Sequence, residues 1–124
     1  MAADRALFDA SILTDYLKGV RPARSELTLC PTPLITALTW IDIMAGARSG
    51  PEQDVVRGFL DRFLVVPVTL ELVERAEQLR RDARLGVPQA VNCAAAEAEQ
   101  VPLVTRDPSD YPTKAVDLRV PYAV

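Results

Sequence analysis

Ala6-Leu7-Phe8-Asp9-Ala10-Ser11-Ile12-Leu13 decides the fold. Three apolar residues run into an acid, as in a buried strand that ends at a polar edge. Ser11 is placed to cap a helix over Ile12 to Lys18, and Gly19 to end it. A strand that turns at once into a helix is the opening of an α/β unit. Downstream, Pro102-Leu103-Val104-Thr105-Arg106-Asp107 repeats the arrangement, a short apolar strand closed by an acid.

Between the two runs the chain alternates. Residues 20 to 33 carry three prolines and read as loop. Leu34-Ile35-Thr36 is a brief strand, followed by a helix over Ala37 to Arg48 with Leu38, Ile41 and Ala45 on one face. Pro51 opens a helix that runs from Glu52 to Leu64. Val65-Val66-Pro67-Val68 is a strand whose proline points to an edge or a strand end. Thr69 caps an amphipathic helix with Leu72, Val73, Ala76, Leu79 and Ala83 at helical spacing, closed by Gly86. Pro88 opens a helix from Gln89 to about Glu99, almost wholly small or apolar and therefore buried. Val116 to Val120 is a last short strand. This order predicts an α/β fold, an α/β/α sandwich about a mainly parallel sheet, with residues 1–124 as a single domain.

Composition narrows the chemistry. The chain has 124 residues, 49% of them hydrophobic, and a net charge of −3, which suits one folded domain rather than a disordered tail. No apolar run reaches the roughly 20 residues of a membrane span, and MAADRALFD does not read as a secretory leader, so a cytoplasmic location is expected. Histidine is absent. That excludes Ser–His–Asp and Cys–His catalysis and any zinc site with a histidine ligand. Cys30 and Cys93 are too few for a cysteine-rich metal site and are expected as free thiols. Seventeen acids against 14 bases argue against nucleic-acid binding by net charge alone.

Carboxylates, hydroxyls or amines are left to carry any polar chemistry. Strand-end acids of a parallel sheet share its carboxyl edge, so Asp9 and Asp107 can converge, and Asp42 on the helix after the second strand can join them. Acids held that close repel one another and call for a hard cation such as Mg²⁺ or Mn²⁺. Helix caps and turn residues are the plainer explanation of the same pattern.

In four places the chain resembles the PIN domain family, and most nearly its VapC branch of toxins. Leu7 to Leu13 resembles the opening motif, in which an Asp ends the first strand. Ile35 to Gly46 resembles a segment usually written Trp-Ala-Glu-Leu-x-x-Gly. Leu85 to Ala96 resembles Leu-Pro-Asp-Ala-x-Ile-Ala-Ala, and Pro102 to Asp107 the closing motif, with Asp110-Tyr111 matching an Asp-Phe pair after it. The resemblance implies a Mg²⁺- or Mn²⁺-dependent endoribonuclease, a homodimer, an RNA substrate and an antitoxin partner. It implies Asp9, Asp42 and Asp107 as catalytic metal ligands, with Asp42 one methylene shorter than the family's Glu. Ser11 would orient Asp9. Gln89 stands where the family has an Asp, 18 positions before Asp107, and brings no charge. Asn92, one turn on, is also uncharged and, with Gln89, Ser11 and Asp110, is a supporting residue. The cation is therefore expected to bind weakly. A module of the same fold that binds RNA or an antitoxin without cutting is the alternative. A receiver-like phosphoacceptor domain fits less well, because the first strand ends in one acid and Arg106, not a lysine, follows Thr105.

The other charged and aromatic residues divide. Arg106, beside the last acid, is a candidate for RNA phosphates. Arg75, Arg80, Arg81 and Arg84 read as a solvated helix face, with Glu71–Arg75 and Glu77–Arg81 pairs at i, i+4. Trp40, Tyr16, Met44 and Cys93 read as core, and Tyr111 as exposed at a pocket rim.

Overall fold

The computed structural model describes residues 3–123, so Met1 and Ala2 of the N-terminal reading lie outside the described residues, as does Val124. The elements run β1 (Arg5–Phe8), α1 (Ala10–Leu17), α2 (Arg21–Thr28), β2 (Thr32–Thr36), α3 (Ala37–Ala45), α4 (Gly50–Leu60), β3 (Leu64–Val66), α5 (Leu70–Ala83), α6 (Val87–Glu99), β4 (Leu103–Val104), a 3₁₀ turn (Pro108–Asp110) and β5 (Leu118–Arg119). The sheet has the order β3-β2-β1-β4-β5, and every pair in it is parallel. The chain winds outward from β1 to β3, then returns to the other side of β1 to lay down β4 and β5. The winding thus reverses between β1 and β4, the place where open parallel sheets leave a crevice for ligands.

Strand alternation divides the core. Leu7, Leu34 and Leu103 face α5 and α6, meeting Leu72, Ala76 and Leu79. Ala6, Phe8, Ile35 and Val104 face the other way, against Ile12, Leu13, Val56, Phe59 and Leu60. Ala90 to Ala96 are all buried, because α6 lies between the sheet and α5. Small side chains let the three layers close up there.

The structure corrects several expectations. Residues 20 to 33 are not mostly loop: α2 occupies Arg21–Thr28, with Pro22 in the first turn, where its missing N–H costs nothing, and Ala23 and Leu27 buried four apart. Asp9, not Ser11, caps α1, and the Ser11 amide donates to it. Gly86 does not close α5. That helix ends with Arg84 in the left-handed region, and Gly86 instead begins α6. Arg75 pairs with Glu97 on α6 rather than with Glu71, whereas Glu77–Arg81 forms as expected. Tyr111 is buried, not exposed. Tyr16 and Trp40 are half-buried, each with an arginine over its ring, and Tyr16 stacks on Phe59 at 4.6 Å. β3 lies at the sheet edge and ends at Val66, just before Pro67, in keeping with both alternatives left open by that proline. Cys30 and Cys93 are both free.

Candidate functional site

β1 and β4 run side by side and deliver Asp9 and the segment Thr105-Arg106-Asp107 to one edge. The Asp9 amide donates to the Val104 carbonyl at 3.1 Å, which locks the two strand ends in register. Asp9 itself is buried. Its Oδ1 accepts from the Ser11 amide at 3.1 Å and from the Ser11 hydroxyl. Its Oδ2 accepts from the Thr105 hydroxyl at 2.6 Å and the Tyr111 hydroxyl at 3.2 Å. Burial raises the Asp9 carboxyl above its ordinary value, and these hydrogen bonds oppose the rise. Burial and the neighbouring Asp9 charge push the Tyr111 phenol far up, so it remains a donor.

Arg106 ties the rest of the edge together. Its backbone amide donates to the Ser11 hydroxyl at 3.1 Å. Its guanidinium holds Asp15 at 2.7 Å and spans both Asp107 oxygens at 3.3 Å. Asp15 is buried and also accepts from the Tyr122 hydroxyl at 2.8 Å.

A cleft of about 560 Å³ opens over this edge. Asp9, Ser11, Asp42, Gln89, Asn92, Arg106, Asp107 and Asp110, every site residue nominated from the sequence, line it. Leu38, Ile41 and Ala45 line it too, so that face of α3 looks into the cleft, with Leu38 also packed against the core; Ile41 is 58% exposed. Asp42 and Asp110 are exposed, and Gln89 is half-buried at the start of α6. The Gln89 side-chain oxygen lies so close over Gly86 that a Cβ there would collide with it.

Asp15, Thr105 and Tyr122 are additional to the residues read from the sequence. Asp15 had one available signal: it follows Ser11 by four residues, so the two share a face of α1. Thr105 and Tyr122 reach their acids across 96 and 107 residues, respectively, with no local pattern to mark them.

The donor set can be tested against a hard divalent cation. An ionised carboxylate offers about four lone-pair positions. The four donors on Asp9 take them all. Asp107 is occupied by a guanidinium, and Gln89 contributes no charge. Among the described residues, no group of three His, Cys, Asp or Glu side chains is disposed to hold a metal ion. As arranged, these residues do not form a ready-made cation site: a divalent ion must displace a partner of Asp9 or Asp107 and would be held weakly.

Solved structures share the architecture. A toxin–antitoxin complex from Klebsiella pneumoniae is 30% identical, with a TM-score of 0.88, and the match covers 96% of this chain and 99% of that one. VapBC from Salmonella typhimurium bound to DNA is 16% identical with a TM-score of 0.79, covering 96% and 98% of the two chains. VapBC2 from Rickettsia felis, bound to a DNA fragment from its promoter, is 16% identical with a TM-score of 0.76, covering 93% and 97%. At that identity the last two bear on the fold alone. No curated protein matches the chain. Among the described residues, no helix is long and apolar enough to cross a membrane. The family model for the PIN domain matches residues 6–111, which includes both acid-ended strands and the cleft between them, and the chain belongs to the PIN domain family.

Proposed function

We infer that this chain is the nuclease-type toxin of a toxin–antitoxin pair, acting on RNA phosphodiester bonds at the cleft between the ends of β1 and β4. The observation that carries the reading is that Asp9, Asp42, Asp107 and Arg106 line one cleft at the point where the winding of the sheet reverses. In this reading Asp9, Asp42 and Asp107 are the catalytic acids, Ser11, Gln89, Asn92 and Asp110 support them, and the Arg106 guanidinium meets a phosphate. Mg²⁺ or Mn²⁺ is the expected cofactor and is weakly held, since the carboxylate oxygens already have partners. Residues 1–124 act as one domain, as a homodimer, in the cytoplasm, with an antitoxin as the protein partner.

The test is cleavage of labelled RNA by the purified chain with Mg²⁺, with Mn²⁺ and with a chelator. Cleavage that needs the cation and disappears in Asp9→Asn supports the reading. A second reading, a module that binds RNA or an antitoxin without cutting, draws on Gln89 and on the filled oxygens of Asp9. RNA retained in chelator, with no cleavage under either cation, favours it.

A further inference from the structure

We propose that the Tyr111 hydroxyl closes Oδ2 of Asp9 to divalent cations, making Tyr111 a positioning residue that sets how weakly this cleft binds metal. The hydroxyl ends a directed run of hydrogen bonds. Thr36 Oγ1 donates to Asn92 Oδ1 at 3.4 Å, Asn92 Nδ2 donates to the Tyr111 hydroxyl at 3.1 Å, and that hydroxyl donates to Asp9 Oδ2 at 3.2 Å. Because the phenol oxygen already accepts from Asn92, its hydrogen is aimed at Asp9. All four residues are buried, and Asp9, Asn92 and Tyr111 border the cleft.

The same oxygen accepts from Thr105 at 2.6 Å, and the Thr105 hydroxyl is held in turn by the Asp107 amide at 3.0 Å. A cation that takes a lone pair of Oδ2 must therefore displace one of two hydroxyls. Displacing Tyr111 strands a buried O–H; displacing Thr105 breaks a contact that shapes the backbone beside Asp107. Phenylalanine keeps the ring that packs against α6 and removes the hydroxyl, so the hydrogen that competes for Oδ2 is lost and Asn92 Nδ2 loses its acceptor.

The inference rests on the reading of this cleft as a place for a cation, but its readout is cation binding. Mn²⁺ titration calorimetry compares the unaltered chain, Tyr111→Phe, Thr105→Val and Tyr111→Phe combined with Asp9→Asn. A hydrogen bond to a charged acceptor accounts for a gain on the order of tenfold in Mn²⁺ affinity for Tyr111→Phe, and Asp9→Asn should remove that gain. Unchanged or weaker affinity in a folded Tyr111→Phe chain overturns the proposal. Should circular dichroism show that this variant does not fold, Thr105→Val, which frees the same oxygen, decides by the same criterion. Cleavage of RNA is followed in parallel. A Mn²⁺ gain without cleavage supports the inference and counts against the nuclease reading, whereas cleavage with no gain in either variant counts against the inference alone.

Discussion

Arg106 Nη1 lies 2.7 Å from Oδ1 of Asp15, and the acid's other oxygen accepts from Tyr122. One buried carboxylate on the first helix thus positions a guanidinium on the segment after β4, and that guanidinium faces the cleft. The Asp15 side chain is 3% exposed and the Arg106 side chain 26%. The pair is shielded from bulk solvent on one side and open to a ligand on the other.

Asp15→Ala removes the acceptor for two donors at once. The expected loss of stability is about 2–4 kcal/mol, because a half-buried guanidinium is left with Asp107 alone while a hydroxyl loses its acceptor. Denaturant unfolding measures it. RNA retention in chelator should fall as well, and Arg106→Gln should lower retention while costing less stability than Asp15→Ala. Unchanged RNA retention in a folded Asp15→Ala chain would mean that Asp15 does not act by holding Arg106.

Burial pushes the Cys93 thiol up to about 11, and burial raises Cys30 too. Thiolate is the reactive form, so both cysteines should resist alkylation in the native chain and react once it is unfolded. Intact mass after iodoacetamide treatment, with and without denaturant, reads this directly. Rapid native labelling at Cys93 would show that α6 opens far more readily than its packing implies.

The position of Asp9 also sets a pH dependence. A carboxyl whose value in the folded chain lies above its unfolded value holds its proton more tightly when folded. The resulting stability is complete below the unfolded value near 3.8 and is lost as pH rises through the folded value. Unfolding free energy of the unaltered chain, taken relative to Asp9→Asn, should therefore decline with rising pH across that window. The slope should not exceed about 1.4 kcal/mol per pH unit. A difference that climbs with pH would mean that the four hydrogen bonds outweigh desolvation.

Much of this arrangement is legible in the sequence, and the remainder is hidden for identifiable reasons. The two acid-ended strands can be read because apolar alternation and a terminal acid are local signals, and the edge position of β3 can be read from Pro67. α2 escapes because three prolines dominate its surroundings, although Ala23 and Leu27 carry its buried face. Leu38, Ile41 and Ala45 are readable as a helix stripe, but periodicity alone does not distinguish a cleft wall from a core face. The contacts of Thr105, Tyr111 and Tyr122 join positions about a hundred residues apart and exist only once β1 and β4 are neighbours.

Gln89 is where the site departs most from a cation cage, and it supplies the most direct reversal. It lies in the first turn of α6, lining the cleft that Asp9, Asp42 and Asp107 also line. No acid occupies that turn, so a carboxylate there meets the partial positive charge of the helix start and should leave stability within about 1 kcal/mol of the original. Aspartate is also shorter than glutamine, so it fits within the space that the glutamine side chain occupies over Gly86. Gln89→Asp should accordingly raise Mn²⁺ affinity, on the order of tenfold for one added anion beside a divalent ion, and increase any RNA cleavage in step. Asp9→Asn in the same background should cancel both gains, since Asp9 is the acid most central to the site and the new carboxylate is then left with the exposed Asp42 and the arginine-paired Asp107. Calorimetry and RNA cleavage on the three proteins side by side make the comparison. If Gln89→Asp changes neither, its side chain does not share an ion with Asp9, and the binding module becomes the better account of this cleft.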